Sequence, residues 1–299
     1  MRIKHLPALL PVCLVILSVS TFAQRGGGQP SAGPIEFRKI SDNLFEIRGG
    51  RGANGGAYVG GDGVLLIDSK MDEASVKQVL AELKKLTDKP IKFVVNTHAD
   101  GDHVAGNRYL PPGTTFVAHE NCRKEFLLPS RDGSPSQWSD PKVLPFVPSI
   151  TYRDKMDVYL GDKKVELWYF GLGHTTGDTV VYFPEEKTAF VGDQIFMGRI
   201  PLIHAYKGGN SFENVKTLTK MLDTLDAEHF CSGHADMTDR AGVKGCIMAM
   251  QQRQEKVKAL VEKGKSLDET KAEFGKDEAA LVEIIYNEVK AGPRQPAKP

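Results

Sequence analysis

Four potential metal ligands stand within the six residues His98-Ala99-Asp100-Gly101-Asp102-His103, directly after the apolar run Ile91-Lys92-Phe93-Val94-Val95-Asn96. That β-branched run, bounded by Lys89-Pro90, reads as a buried strand. Imidazoles and carboxylates crowded at a strand end repel one another, or stay expensively desolvated, unless a cation joins them. Zinc and iron accept this mixture of nitrogen and oxygen donors. Taken alone, the stretch is also compatible with a polar, solvated loop.

Three later segments repeat the pattern. Gly171-Leu172-Gly173-His174-Thr175-Thr176-Gly177-Asp178 follows the strand-like Val165-Glu166-Leu167-Trp168-Tyr169-Phe170. Ala189-Phe190-Val191-Gly192-Asp193 puts a carboxylate at the end of another apolar run, and Phe230-Cys231-Ser232-Gly233-His234 ends a fourth with a histidine. Each reads as a short strand, a turn that glycine permits, and then a ligand-type residue. Strand ends are where sites collect in layered α/β folds.

This order resembles the metallo-β-lactamase-fold hydrolase superfamily, whose signature is His-x-His-x-Asp-His, then Gly-His, then a bridging carboxylate, then a late Gly-His. The resemblance covers nearly all the chain after its N-terminus, from Gly63-Val64-Leu65-Leu66-Ile67-Asp68 to the C-terminal helices. It implies an α/β fold, a four-layer αββα sandwich. It also implies two divalent metal ions. His98, the residue at 100 and His174 would hold one; Asp102, His103 and His234 would hold the other, with Asp193 between them. Asp102 would in addition orient the nucleophile.

One position departs from the signature, because the usual second histidine is here Asp100. A carboxylate oxygen reaches zinc at about the distance of an imidazole nitrogen. It adds a negative charge, however, which weakens the Lewis acidity of the metal and tilts preference from zinc toward iron or manganese. The flavodiiron branch of the fold, with a glutamate at this position and two irons, makes an iron reading legitimate. Three outcomes therefore stand open here: a two-metal site, a single metal, or a degenerate site.

The N-terminus reads as an export signal. Arg2 and Lys4 precede an apolar run that ends at Thr21-Phe22-Ala23, too short to span a bilayer. Cleavage after Ala23 predicts a periplasmic or secreted protein with no membrane attachment afterwards. Loss of Arg2 and Lys4 turns 39 basic residues against 38 acidic into 37 against 38. That balance gives no basic field for nucleic acid. The three cysteines left, Cys122, Cys231 and Cys246, cannot all pair internally. A Cys231–Cys246 bridge is allowed, and small buried thiols are the simpler expectation.

Residues 24–34 are rich in Gly, Pro and Ser and read as a disordered start to the mature chain; 35–299 reads as one domain. Strands are predicted over Ile35–Arg38, Leu44–Ile47, Ala57–Val59 and Val64–Ile67, the last two joined by a Gly60-Gly61-Asp62-Gly63 hairpin. Further strands are predicted near Ser149–Tyr152, Val158–Leu160, Val165–Phe170, Thr179–Phe183 and Thr188–Val191. Helical periodicity marks Met71–Leu86, Phe212–Leu225 and Val243–Glu262, and Ser266-Leu267-Asp268-Glu269 is a capping box. Pro129 to Pro148 is a long loop of breakers that either overhangs the site or is a surface excursion.

Several residues near the motifs read two ways. Asp68 either supports the metal loop by hydrogen bonds or caps a turn. Thr175 and Asp178 are candidates to orient His174. His204, His119 and His229 read as surface histidines, and Trp168 and Tyr169 as core. Two cations sharing a water lower its pKa enough to provide hydroxide near neutral pH. The expected activity is therefore metal-dependent hydrolysis of an ester, amide, lactam or phosphoester bond in a small substrate. A di-iron redox or oxygen-handling protein and a non-catalytic member are the alternatives.

Overall fold

The computed structural model describes residues 33–129 and 132–292. The predicted export signal, and the Gly/Pro/Ser-rich stretch up to residue 32, lie outside the described residues.

Among the described residues, thirteen strands form two sheets. The first holds, in spatial order, β1 (Glu36–Lys39), β2 (Leu44–Arg48), β3 (Gly55–Val59), β4 (Val64–Ile67), β5 (Ile91–Val95), β6 (Thr115–His119) and β7 (Ile150–Tyr152). β1 to β4 pair antiparallel and β4 to β7 pair parallel. The second sheet runs in the order β13 (Thr238–Asp239), β12 (His229–Ser232), β11 (Thr188–Gly192), β10 (Val180–Phe183), β9 (Lys163–Trp168), β8 (Lys155–Leu160). The helices are α1 (Glu73–Leu86), α2 (Gly101–Val104), α3 (Glu120–Phe126), α4 (Ser211–Thr224), α5 (Arg240–Glu262), α6 (Leu267–Ala272) and α7 (Ala279–Ala291).

Strand alternation builds the layers. In β4, Leu65 and Ile67 point between the sheets, where they meet Leu167, Val181 and Phe183. Val64 and Leu66, on the other face, pack on Val76, Val79 and Leu83 of α1. In β10 the alternation is the same: Val181 and Phe183 face the first sheet, while Val180 and Tyr182 pack on Leu218 and Met221 of α4 and Val243 of α5. Both sheets are thus apolar on two faces, as the continuous Val/Leu/Ile runs require. The order helix, sheet, sheet, helix is the αββα sandwich expected from the resemblance. Trp168 and Tyr169, half-buried, pack on opposite sides of the second sheet as the period of two demands.

Predicted elements recur with end shifts of up to three residues, and the Ser266 capping box is present in full. Two strands were not predicted: β6, a short run after Pro111-Pro112-Gly113 with little periodicity, and the two-residue β13. Cys122, Cys231 and Cys246 are free thiols, so the Cys231–Cys246 bridge does not form. No helix among the described residues is long and apolar enough to cross a membrane.

Candidate metal centre

The ligand-type residues leave four strands and one short helix and meet at one end of the sandwich. β5 delivers Asn96-Thr97-His98, and α2, whose N-cap is Asp100, turns Asp102 and His103 back toward it. The loop after β9 brings His174, the end of β11 brings Asp193, and the end of β12 brings His234. Two glycines make the approach feasible. Gly192 has φ +54°, and a Cβ there would lie 2.8 Å from Thr97 Oγ1. At Gly233 a Cβ would press on Asp193 Oδ1 and lie 2.7 Å from His103 Cε1.

Donor atoms gather in groups each small enough for one ion. His98, His174 and Asp193 form one group and Asp102, His103 and His234 another, with donor atoms within 4.8 Å of one another. Asp193 joins them: its Oδ1 lies 3.3 Å from His103 Nε2 and its Oδ2 lies 3.2 Å from His234 Nε2. Asp102 Oδ2 is 3.1 Å from His234 Nε2. Asp100 forms a third such group with His174 and His204, so all seven residues picked out in the sequence converge.

The hydrogen bonds behind the histidines fix their tautomers. Thr97 Oγ1 donates to Asp68 Oδ2 at 2.8 Å, so it accepts from His98 Nδ1 at 3.0 Å. His103 Nδ1 donates to Asp68 Oδ2 at 2.7 Å, and His174 Nδ1 donates to the Leu202 carbonyl at 2.7 Å. Each ring thus turns its Nε2 into the site, where the neutral ring offers a lone pair to a metal, the arrangement outer partners give to metal histidines. Asp68 supports the metal loop rather than merely capping a turn, since it also accepts from Thr97 N at 2.8 Å. Asp178 does not orient His174; it accepts from the backbone and hydroxyl of Thr175 and shapes the turn.

The donor chemistry fits a divalent metal. His98 Nε2, His103 Nε2 and Asp193 Oδ1 are buried and have no hydrogen-bond partner. Orphaned lone pairs facing one another are costly unless a cation lies among them. Burial opposes ionisation of Asp100 and Asp193, yet the surrounding imidazoles outweigh it and hold both carboxyls well below the usual carboxylate range.

Position 100 has partners that its sequence context did not announce. Asp100 Oδ2 lies 3.5 Å from His98 Nε2, 3.2 Å from His174 Nε2 and 2.8 Å from His204 Nε2. Asp100 Oδ1 is paired with Lys207 Nζ. His204 is therefore not a surface histidine: its side chain is 13% exposed and sits in the site. His119 is also buried, stacked on Tyr169 with centroids 3.8 Å apart, whereas His229 is exposed. The available signal for His204 and Lys207 was the substitution at 100 itself, which calls for a compensating imidazole and charge on a neighbouring loop.

A cleft of about 650 Å³ opens beside Asp100, lined in part by Ala99, Glu125, Phe126, Trp138, Tyr206 and Lys207. Pro129 and residues 134–138 of the long breaker-rich loop line one wall of this cleft. A larger cleft of about 1180 Å³ lies against α5; neither cleft is lined by any of the seven candidate ligands, but only the smaller one is lined by Ala99 and Lys207, next to Asp100.

Residues 48–234 match the model of the metallo-β-lactamase superfamily. The α subunit of 2,4-dinitroanisole O-demethylase from Nocardioides sp. (strain JS1661) is 27% identical over 147 residues, 48% of this chain and 41% of that protein. The type 2 metallo-β-lactamase of Elizabethkingia meningoseptica is 23% identical over 236 residues, 75% of this chain and 88% of that protein. A metallo-β-lactamase structure from Pontibacter korlensis superposes with a TM-score of 0.61 at 18% identity, covering 73% of this chain and 99% of that one. Sequence match, layer order and converging donors agree: the chain belongs to the metallo-β-lactamase superfamily of metallo-hydrolases.

Proposed function

We propose that the protein is an exported hydrolase of small esters, amides, lactams or phosphoesters that works with two divalent metal ions, zinc in the first place. His98, His174 and Asp100 would hold one ion, Asp102, His103 and His234 the other, with Asp193 shared. The observation that carries this reading is the trio of buried, unpartnered atoms, His98 Nε2, His103 Nε2 and Asp193 Oδ1, all aimed into one space. Export rests on the charged and apolar N-terminal run ending at Ala23.

Bound metal would supply a Lewis acid for the substrate oxygen and, by lowering the pKa of water, a nucleophile near neutral pH. The rest falls to the chain's own groups. Asp102 keeps 33% of its side chain exposed, against 14% for Asp100 and 4% for Asp193. It is thus the site carboxylate best placed to orient an attacking water and hold its proton. Asp68, Thr97 and the Leu202 carbonyl keep the imidazoles in the tautomer the metal needs. The cleft beside Asp100 offers the exposed ring of Tyr206 to an apolar substrate body, while Phe126 and Trp138 are buried beneath it. No serine or cysteine nucleophile is required.

The test is hydrolysis of a panel of lactams, lactones, aryl esters and phosphodiesters before and after chelation, with His174→Ala alongside. Turnover that disappears on chelation, returns with zinc and is absent in a folded His174→Ala protein is expected. Full activity after chelation overturns the reading.

A further inference from the structure

Three imidazole nitrogens converge on a single oxygen, Asp100 Oδ2: His204 at 2.8 Å, His174 at 3.2 Å and His98 at 3.5 Å. A carboxylate accepts hydrogen bonds and donates none. His174 uses its ring N–H on the Leu202 carbonyl and His98 uses its own on Thr97 Oγ1, so both face Asp100 with bare lone pairs. Acceptors packed against acceptors at these distances need positive charge among them. Lys207, paired with Oδ1, offsets the charge of the carboxylate itself and gives the ring nitrogens neither a donor nor a cation to bind.

His204 is held in this position by its own backbone. Its N–H donates to the His174 carbonyl at 2.8 Å, and Asn210 N donates to the Gly173 carbonyl at 3.0 Å. With the His174 ring bonded to Leu202, the two loops are stitched at three points. That fixes His204 and His174 side by side, with ring centroids 4.5 Å apart.

We propose that His204 is the third imidazole ligand of the metal position formed by His98 and His174, standing in for the histidine that Asp100 replaces. Lys207 neutralises the extra carboxylate, so the position carries the net charge of a three-histidine set. The ion taken is therefore one that prefers nitrogen, zinc or cobalt, ahead of iron or manganese. The proposal rests on the metallo-hydrolase reading and deepens its metal site.

The experiment measures zinc retained by the full chain, and by His204→Gln and His204→Ala, against a competing chelator, with folding checked by circular dichroism. Glutamine keeps a donor toward Asp100 but removes the imidazole. Loss of an outer hydrogen-bond partner costs about 10–100-fold in metal affinity. A true ligand is expected to cost more than about 100-fold for one zinc equivalent while any other stays, and a smaller effect overturns the proposal. If the unmodified chain holds a single equivalent, the two-metal reading fails on its own; sensitivity of that equivalent to His204→Gln still upholds the proposal, and insensitivity overturns it. Zinc binding to neither position overturns both. A histidine-selective ¹⁵N spectrum of the unmodified chain titrated with zinc needs no variant. The His204 ring shifting with those of His98, His103, His174 and His234 is expected, and an unshifted His204 overturns the assignment.

Discussion

Asp68→Asn isolates the support behind the metal loop. Asp68 has φ +57°, a conformation asparagine also tolerates, so the backbone is undisturbed. The carboxylate accepts from Thr97 N at 2.8 Å through Oδ1, and from Thr97 Oγ1 at 2.8 Å and His103 Nδ1 at 2.7 Å through Oδ2. The backbone N–H cannot turn away, so the asparagine oxygen stays with it and the amide NH₂ faces the His103 ring. Two donors then oppose each other in a buried site. His103 escapes by moving its proton to Nε2, the atom 3.3 Å from Asp193 Oδ1, and that blocks the lone pair a metal needs. A buried hydrogen bond to a charged group is worth roughly 1.5–3 kcal/mol. An outer partner of a metal histidine is worth about 10–100-fold in affinity, which is about 1.4–2.7 kcal/mol. The two ranges agree. Chelator competition should therefore show weaker binding by about 10–100-fold, and denaturation of the metal-free protein a loss of about 2 kcal/mol. Wild-type metal affinity and stability in Asp68→Asn would refute the reasoning.

Three other outcomes follow from particular contacts. Burial pushes the Glu125 carboxyl up to about 7 from 4.5. Its contribution to stability is thus complete below about pH 4.5 and lost as pH rises through 7. Metal-free Glu125→Gln should gain on the unmodified protein by up to about 3 kcal/mol between pH 5 and pH 8 in denaturant titrations, and a pH-independent difference would contradict this. Gly233→Ala drives a methyl group against Asp193 and His103; it should cost about 1–3 kcal/mol by overpacking and weaken metal binding, whereas an unchanged metal content would show that the site gives way freely. Tyr206 lines the substrate cleft and is 54% exposed. Tyr206→Ala should raise KM while shifting stability by no more than about 0.5 kcal/mol; an unchanged KM on every substrate would place the substrate elsewhere.

The seven motif residues were legible because each stands at the end of an apolar run, next to a glycine or in the dense 98–103 stretch. A strand end fixes where such a side chain goes with little help from the rest of the chain. Continuous apolar runs likewise marked β4 and β10, whose two faces both pack. Layer order came from the resemblance, since short apolar runs do not say which sheet they join. His204 was misread because its partners, Asp100 and His174, lie far away in sequence and nothing around it is periodic. Its role depends on a loop stitched by backbone hydrogen bonds, which leave no residue signature. Asp178 was assigned to His174 on proximity in the chain, while the actual acceptor is the backbone carbonyl of Leu202, which any residue could supply.

The most direct test of the central claim is the metal content of the purified full chain after exhaustive dialysis, by elemental analysis. Two equivalents of divalent metal per chain, falling when His98, Asp193 or His234 is replaced by alanine in a folded protein, is the predicted result. A folded chain that binds no metal at micromolar zinc, with His98, His103 and Asp193 intact, would contradict it.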